Sequence, residues 1–288
     1  MGRFLGAVST LPYLGEASCK ALLAQGASFA FPATDTYWGF FVYSGLVYEY
    51  PLHMVFKAIC NLDFQVLDCG ANFGYWSVLL SSPAYGSKNV IAIEPAIQTF
   101  QILRSNSTLN GNRFACVNRA VSDCSGSVLS LVTNMHASAR LRIHPQDSDG
   151  SRCQEVLSIS LDDLVSMLAA SPNPLVIKLD IEGHETQAIR TAACLRDRDV
   201  LIIYEDNASD VLSTNTQYIL ALREFVVYWI DDLGRCARIT NVSEVNHIKH
   251  RRARGVNSFA GHNFLATTRD GKFDCLLRET LGVRPYEN

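Results

Sequence analysis

The stretch that most constrains the fold of this chain is QVLDCGANFGYWS, Gln65 to Ser77. Gln65, Val66 and Leu67 lead into an acid, Asp68, and two glycines, Gly70 and Gly74, bracket a turn before Tyr75 and Trp76 open an apolar run. The pattern reads as a buried strand, a glycine turn and a helix. Glycines in such a turn let backbone approach a ligand closely. An acid at the carboxyl end of the first strand of an open α/β sheet lies in the crevice where such folds bind their ligands.

The 288 residues suit one domain with an additional N-terminal piece. Hydrophobic residues make up 48% and charged residues 18%, enough to bury a sizeable core. A formal net charge of -3 argues against a surface built wholly to bind a polyanion. The nine cysteines include no CxxC pair and no zinc-like spacing, which favours a reducing compartment. No run reaches the ~20 apolar residues of a membrane-spanning helix, and Pro12, Gly15, Glu16 and Lys20 interrupt the N-terminal region before a signal-type core forms. These features point to a soluble cytoplasmic protein.

Taken in order, Glu16 to Gln25 reads as a helix ended by Gly26, and the aromatic-rich Asp35 to Glu49 as short strands or a lid. Pro51 to Cys60 has helical spacing. After the opening motif, NVIAIEP (Asn89 to Pro95) is a second parallel strand ending in Glu94, followed by a helix from Ala96 to Leu109. A third strand, Ala115 to Val121, ends at Ser122-Asp123, and Val128 to Val132 is a further strand. Residues 133–153 are polar and irregular, as in a functional lid or an excursion. Leu157 to Leu168 joins a strand to a helix, and LVIKLDI (Leu175 to Ile181) is a fourth strand running straight into EGHETQAIRTAACL. Val200 to Tyr204 is the fifth strand. A helix (Asn215 to Phe225), a strand (Val226 to Asp231), a hairpin element (Arg235 to Thr240) and a last strand (Asn263 to Thr267) follow. The basic run NHIKHRRAR, Asn246 to Arg254, reads as a solvated loop or as a patch for an anionic group.

Strand and helix alternating, with acids at successive strand ends, is the layout of a doubly wound, mostly parallel sheet. A dinucleotide dehydrogenase would carry GxGxxG, because a pyrophosphate needs several free amides at the helix start. This chain has DCGANFG instead. A ligand with ribose and adenine but no phosphates fits better, and S-adenosylmethionine is such a cofactor. Gly70 and Gly74 then leave room for its methionine part, and Glu94 accepts from both ribose hydroxyls. Asp123 either holds the adenine amino group or serves turn chemistry.

The segments VLDCGANFGYWS, VIAIEP, AVSDCSG, SISLDDL and VIKLDIEGHE, with a weaker HNFLAT in the tail, resemble in type, order and spacing the FkbM-type methyltransferases. The resemblance runs from about Tyr48 to Asn207. It implies a Rossmann-like class I methyltransferase fold with a seven-stranded sheet, formed by residues 48–288 behind an N-terminal extension of residues 1–47. It also implies S-adenosylmethionine-dependent O-methylation of a sugar, glycan or natural-product hydroxyl, with cofactor contacts at Asp68, Gly70, Asn72, Gly74, Glu94 and Asp123. The family commonly has a Glu and then a His near the end of the fifth strand, where this chain has Glu205-Asp206-Asn207.

Methyl transfer needs in-line attack and removal of the hydroxyl proton, so positioning and a base carry the chemistry. His184, two residues after Glu182 at the start of the fourth helix, is a candidate base, or else a capping or acid-paired histidine. Asp180, at the strand end, is placed to orient that base or to bind acceptor hydroxyls. Asp180, Asp206 and Asn207 are also arranged similarly to the magnesium ligands of catechol O-methyltransferase, which makes Mg²⁺ a candidate. Pairing of Asp180 with Lys178 is the alternative, since a cation in a buried strand needs a carboxylate. For nucleic-acid methylation there is no DPPY-like or NPPY-like tetrad to grip a flipped base. A non-catalytic scaffold would keep the fold and lose the cofactor.

Overall fold

A computed structural model of the chain describes residues 3–4, 9–10, 17–43, 45, 47–133, 139–142, 152–170, 173–181, 183–206, 210–253 and 262–286. Glu182, Asn207 and Arg254, all named from the sequence, lie outside them.

Two short strands, β1 (Arg3–Phe4) and β2 (Ser9–Thr10), pair antiparallel with β3 (Ala17–Ala24), which turns through Gln25-Gly26 into β4 (Ala27–Pro32). The expected helix over Glu16 to Gln25 is therefore a strand. Its Ala, Leu and Lys content favours a helix locally, but pairing with β4, whose Phe29 and Phe31 are buried, decides the outcome. Gly26, at φ 71°, makes the hairpin turn instead of ending a helix. The expected strands or lid at Asp35 to Glu49 begin with a helix, α1 (Thr36–Tyr43), and Asp35 Oδ1 accepts from the Trp38 amide at its start, 2.8 Å.

Next come α2 (Tyr50–Ile59), β5 (Gln65–Cys69), α3 (Tyr75–Leu80), β6 (Asn89–Ile93), α4 (Ile97–Leu109) and β7 (Ala115–Val117). The third expected strand breaks after Val117, and β8 (Ala120–Val121) pairs elsewhere, parallel to β11 (Arg152–Ile159). β9 (Val128–Thr133) lies between β11 and β10 (Ala139–Arg142), so part of the irregular 133–153 region is a strand. The second half of the chain holds α5 (Leu161–Met167), β12 (Leu175–Leu179), α6 (Glu185–Thr191), β13 (Val200–Asp206), α7 (Thr214–Ala221), β14 (Phe225–Ile230) and β15 (Cys236–Ile239). It ends with α8 (Val242–Ala253), β16 (His262–Thr268), α9 (Lys272–Thr280) and β17 (Arg284–Pro285).

These elements form two compact units. The first comprises Met1–Tyr48, Gln65–Ser171 and Ile181–Ala192, and the second Glu49–Phe64, Pro172–Asp180 and Ala193–Asn288. In the first, β5, β6 and β7 run parallel in that order, with α3 and α4 as crossovers, and β5 is buried along its whole length. Strands buried on both faces read as continuous apolar runs, which is why this βαβ core is plain in the sequence. In the second, β12 and β13 are parallel, and β16 lies antiparallel between β13 and β14. β15 and β17 extend that edge. The seven expected strands are thus β5, β6, β7, β12, β13, β14 and β16, in a mixed, largely parallel Rossmann-like α/β fold.

The basic run is no loop in its described part. It lies on α8, where Val245, Ile248 and Lys249 form the buried stripe at helical spacing. No disulfide joins any of the nine cysteines. Among the described residues, no helix is long and apolar enough to cross a membrane.

Candidate functional site

The opening stretch folds as β5, a turn and α3, and all of it belongs to the first unit. Asp68 is buried at 1% exposure and accepts from Ser77 Oγ, 2.6 Å, so the strand's acid pins the first turn of the following helix. Three residues of the turn take the left-handed conformation: Gly70 at φ 77°, Asn72 at 53° and Gly74 at 87°. Glycine reaches it without strain and Asn is the side chain most tolerant of it. At Gly74 a Cβ would stand 2.5 Å from Leu103 Cδ1, so α4 packs against the bare backbone there. The Gly70 and Ala71 amides both donate to Ile93 O, 2.9 Å, which fastens the turn to the end of β6.

Glu94 follows that strand end and is buried at 6% exposure. Its Oε2 accepts from the Asn72 amide, 3.0 Å, and its Oε1 from the Ala96 amide, 2.9 Å. One carboxylate therefore joins the glycine turn to the entry of α4. Charge-assisted bonds of this kind are about twice as strong as neutral ones. Asn118 Nδ2 braces the same corner by donating to the carbonyls of Glu94, 2.8 Å, and Pro95, 2.9 Å.

On the loop after β8, Asp123 is exposed, with Oδ1 accepting from Ser122 Oγ, 3.1 Å. Its backbone carbonyl accepts from Thr191 Oγ1, 2.8 Å, which ties this loop to the far end of α6. His184 stands at the near end of α6. It is buried at 7% exposure, and Nδ1 has no hydrogen-bond partner among the described residues. Burial lowers its pKa below the ordinary 6.5, and the charge of Asp123 pulls partly the other way. The imidazole is thus held in the form that can take a proton. It makes no side-chain cap of α6.

Glu185, which the sequence reading passed over, organises this loop. Its Oε1 accepts from the Ile181 and Gly183 amides, both 3.2 Å, and its Oε2 from Gly183, 3.1 Å. The carboxylate, at 4% exposure, folds the chain back so that His184 starts the helix. An acid in the first turn of a helix is the only signal the sequence offers for this.

In the second unit Asp180 accepts from Lys178 Nζ, 3.0 Å, and Lys178 is buried, so the cation of the fourth strand has its carboxylate. Asp206, fully buried, accepts from the Thr216 amide, 3.1 Å, and from Thr216 Oγ1, and pairs with Lys249 Nζ, 3.4 Å. Both proposed magnesium ligands among the described residues are therefore committed to lysines. No group of three or more His, Cys, Asp or Glu side chains that could hold a metal ion occurs among the described residues. Among the described residues, Asp180 and Asp206 thus serve lysines, and the third candidate, Asn207, lies outside them.

The site thus brings Asn72 and Glu94 into direct contact, and Asp123 within electrostatic reach of His184. Residues 68–225, 158 of the 288, match the Methyltransferase FkbM domain. The chain belongs to the FkbM methyltransferase family. Among curated proteins, this FkbM chain is similar to the hexuronic acid methyltransferase AglP of Haloferax volcanii, 30% identical over 128 residues. That match covers 44% of the chain and 49% of the relative, so the chain spans about half the length of the relative it matches. Among solved structures, an FkbM methyltransferase of Methylobacillus flagellatus is 16% identical at a TM-score of 0.38, over 70% of this chain and 43% of that one. A Bacillus cereus O-methyltransferase in complex with SAH is 13% identical at 0.43, over 76% and 80%.

Proposed function

We propose that this FkbM-family chain is an S-adenosylmethionine-dependent O-methyltransferase acting on a hydroxyl of a sugar, glycan or natural product. The observation that carries the reading is the corner where Glu94 receives the Asn72 amide of a turn with three left-handed residues. The donor set fits the cofactor. A carboxylate at a strand end can accept from vicinal ribose hydroxyls, and a turn poor in side chains admits a ligand against its backbone. Asp68, Gly70, Asn72 and Gly74 would line the methionine part, Glu94 the ribose and Asp123 the adenine.

The cofactor would supply an electrophilic methyl group; the chain's own work is to orient the acceptor and remove its proton. His184, neutral through burial, is the base in this reading. Glu182, in the segment that leads to it, would orient the base or hold acceptor hydroxyls. A positioned base contributes about 10²–10⁴-fold, and alignment of the reacting groups roughly 7–11 kcal/mol. The sugar-type acceptor draws support from the Haloferax relative, a hexuronic acid methyltransferase. Less of the basic run is open to a nucleic acid than its charge suggests, because Lys249 is buried and pairs with Asp206.

The test is incubation of the full chain with methyl-labelled S-adenosylmethionine and a panel of hexuronic acids, neutral sugars, hydroxylated natural products and RNA, read by mass spectrometry. Label on a hydroxyl oxygen of a small acceptor or glycan supports the reading. Label on a nucleobase, or on nothing while the cofactor shows no heat of binding, overturns it.

A further inference from the structure

We infer that Trp38 is a positioning residue of the cofactor turn, so that the hairpin and helix of residues 17–43, outside the stretch that matches the family, are a working part of that site. The inference rests on the reading of the turn as an S-adenosylmethionine site. Trp38 is buried at 2% exposure, and its indole Nε1 donates to Asn72 Oδ1, 3.1 Å. That oxygen also accepts from the Phe73 amide, 2.7 Å, so two donors fix the side chain of the one left-handed residue in the turn that is not glycine. The Asn72 amide is the group that meets Glu94. The chain of contacts is therefore indole, Asn72 carboxamide, Asn72 backbone, Glu94 carboxylate.

A second tie reaches the next residue of the turn. Asn106 on α4 is fully buried; its Oδ1 accepts from the Ala30 amide of β4, 2.8 Å, and its Nδ2 donates to Ala30 O and to Phe73 O, both 2.8 Å. The hairpin is thus wired through one carboxamide to Phe73, while α1 is wired through Trp38 to Asn72. The indole itself is fixed by rings: Phe29 at 4.7 Å between centroids and Tyr75, the first residue of α3, at 5.9 Å. Buried tryptophan commonly finds a partner for its single N–H, and here the partner is the cofactor turn, not a remote carbonyl.

Calorimetric titration of S-adenosylhomocysteine into the full chain tests this, with Trp38→Phe, Asn72→Gly, the double variant and Phe31→Leu as a control in the same aromatic cluster. Trp38→Phe keeps a ring and removes the donor, and it should weaken binding by about two- to tenfold, the worth of one hydrogen bond. Asn72→Gly keeps the left-handed backbone accessible and Trp38 in place, and should weaken binding similarly. In the Asn72→Gly background, Trp38→Phe should do nothing further. Phe31→Leu should lower the melting temperature and leave the affinity unchanged. Wild-type affinity in Trp38→Phe or Asn72→Gly, an equal loss in Phe31→Leu, or additive losses in the double variant overturns the inference while the cofactor reading stands. A wild type that takes up no ligand overturns both.

Discussion

Glu94 is the residue whose removal separates bracing of the site from binding at it. Glu94→Ala leaves the amides of Asn72 and Ala96 without their acceptor in a place where Glu94 itself is 6% exposed. Each bond to a charged acceptor is worth roughly 1.5–3 kcal/mol, so the loss from the two is about 3–6 kcal/mol. At about 2–4 °C per kcal/mol for large domains, the melting temperature should fall by about 6 °C or more. Glu94→Gln is the sharper perturbation. It keeps one acceptor oxygen and turns an NH₂ toward the other amide, so its melting temperature should lie between wild type and Glu94→Ala. With Glu94 as the proposed ribose acceptor, both variants should show S-adenosylhomocysteine binding weakened about ten- to hundredfold in calorimetry. Glu94→Gln that melts lower yet binds as wild type would refute the cofactor role and leave Glu94 as a brace. Unchanged melting in Glu94→Ala would refute the brace.

His184→Ala should lower kcat far more than it alters cofactor affinity, as single-turnover and binding measurements would show. Because burial lowers the pKa of His184, the acid limb of kcat/KM should lie below 6.5, and activity should fall as pH drops through it. Asp123→Asn removes the charge that partly opposes this shift, and should move the limb to still lower pH; a limb that stays put refutes the coupling. Lys249→Met should destabilise the chain by about 3–5 kcal/mol in urea unfolding, since it leaves the fully buried Asp206 without its cation. Activity should survive EDTA, because Asp180 and Asp206 are held by Lys178 and Lys249; loss on chelation with recovery on Mg²⁺ would refute that account.

The parts of the fold that could be read from the sequence are those in which local pattern and tertiary outcome agree. β5, β6, β12 and β13 are short apolar runs bounded by turns or acids, and their shortness and flanking residues favour strands over buried helices. The β3–β4 hairpin hid because ASCKALLA carries helix-forming residues without alternation. Only its pairing with a phenylalanine-bearing partner makes it a strand, and that partner's role cannot be read from β3 itself. α8 had a legible start that its charges obscured. Asn241 Oδ1 accepts from the Glu244 amide, 3.2 Å, as an N-cap does from N3, and the Glu244 carboxylate returns to the Thr240 amide, 2.8 Å, one residue before the cap. With that cap in view, Val245, Ile248 and Lys249 fall on one face.

The site divides along the same line. Asp68, Glu94 and Asp123 sit at or just beyond strand ends, and their positions follow from finding the strands. Trp38 and Asn106 could not be found that way, because the bonds that make them matter join residues 34 and 76 positions apart. Neither contact has a sequence pattern, and both depend on a hairpin that local propensity misassigns. If the N-terminal residues were a mere appendage, their aromatics would need only one another. Instead the indole reaches Asn72, and the Asn106 carboxamide links Ala30 of β4 to Phe73; Asn72 and Phe73 are two consecutive residues of the glycine turn. A loop that must hold a left-handed asparagine beside a buried carboxylate gains rigidity from such outside partners, because the glycines that let it take left-handed conformations also leave it conformationally loose.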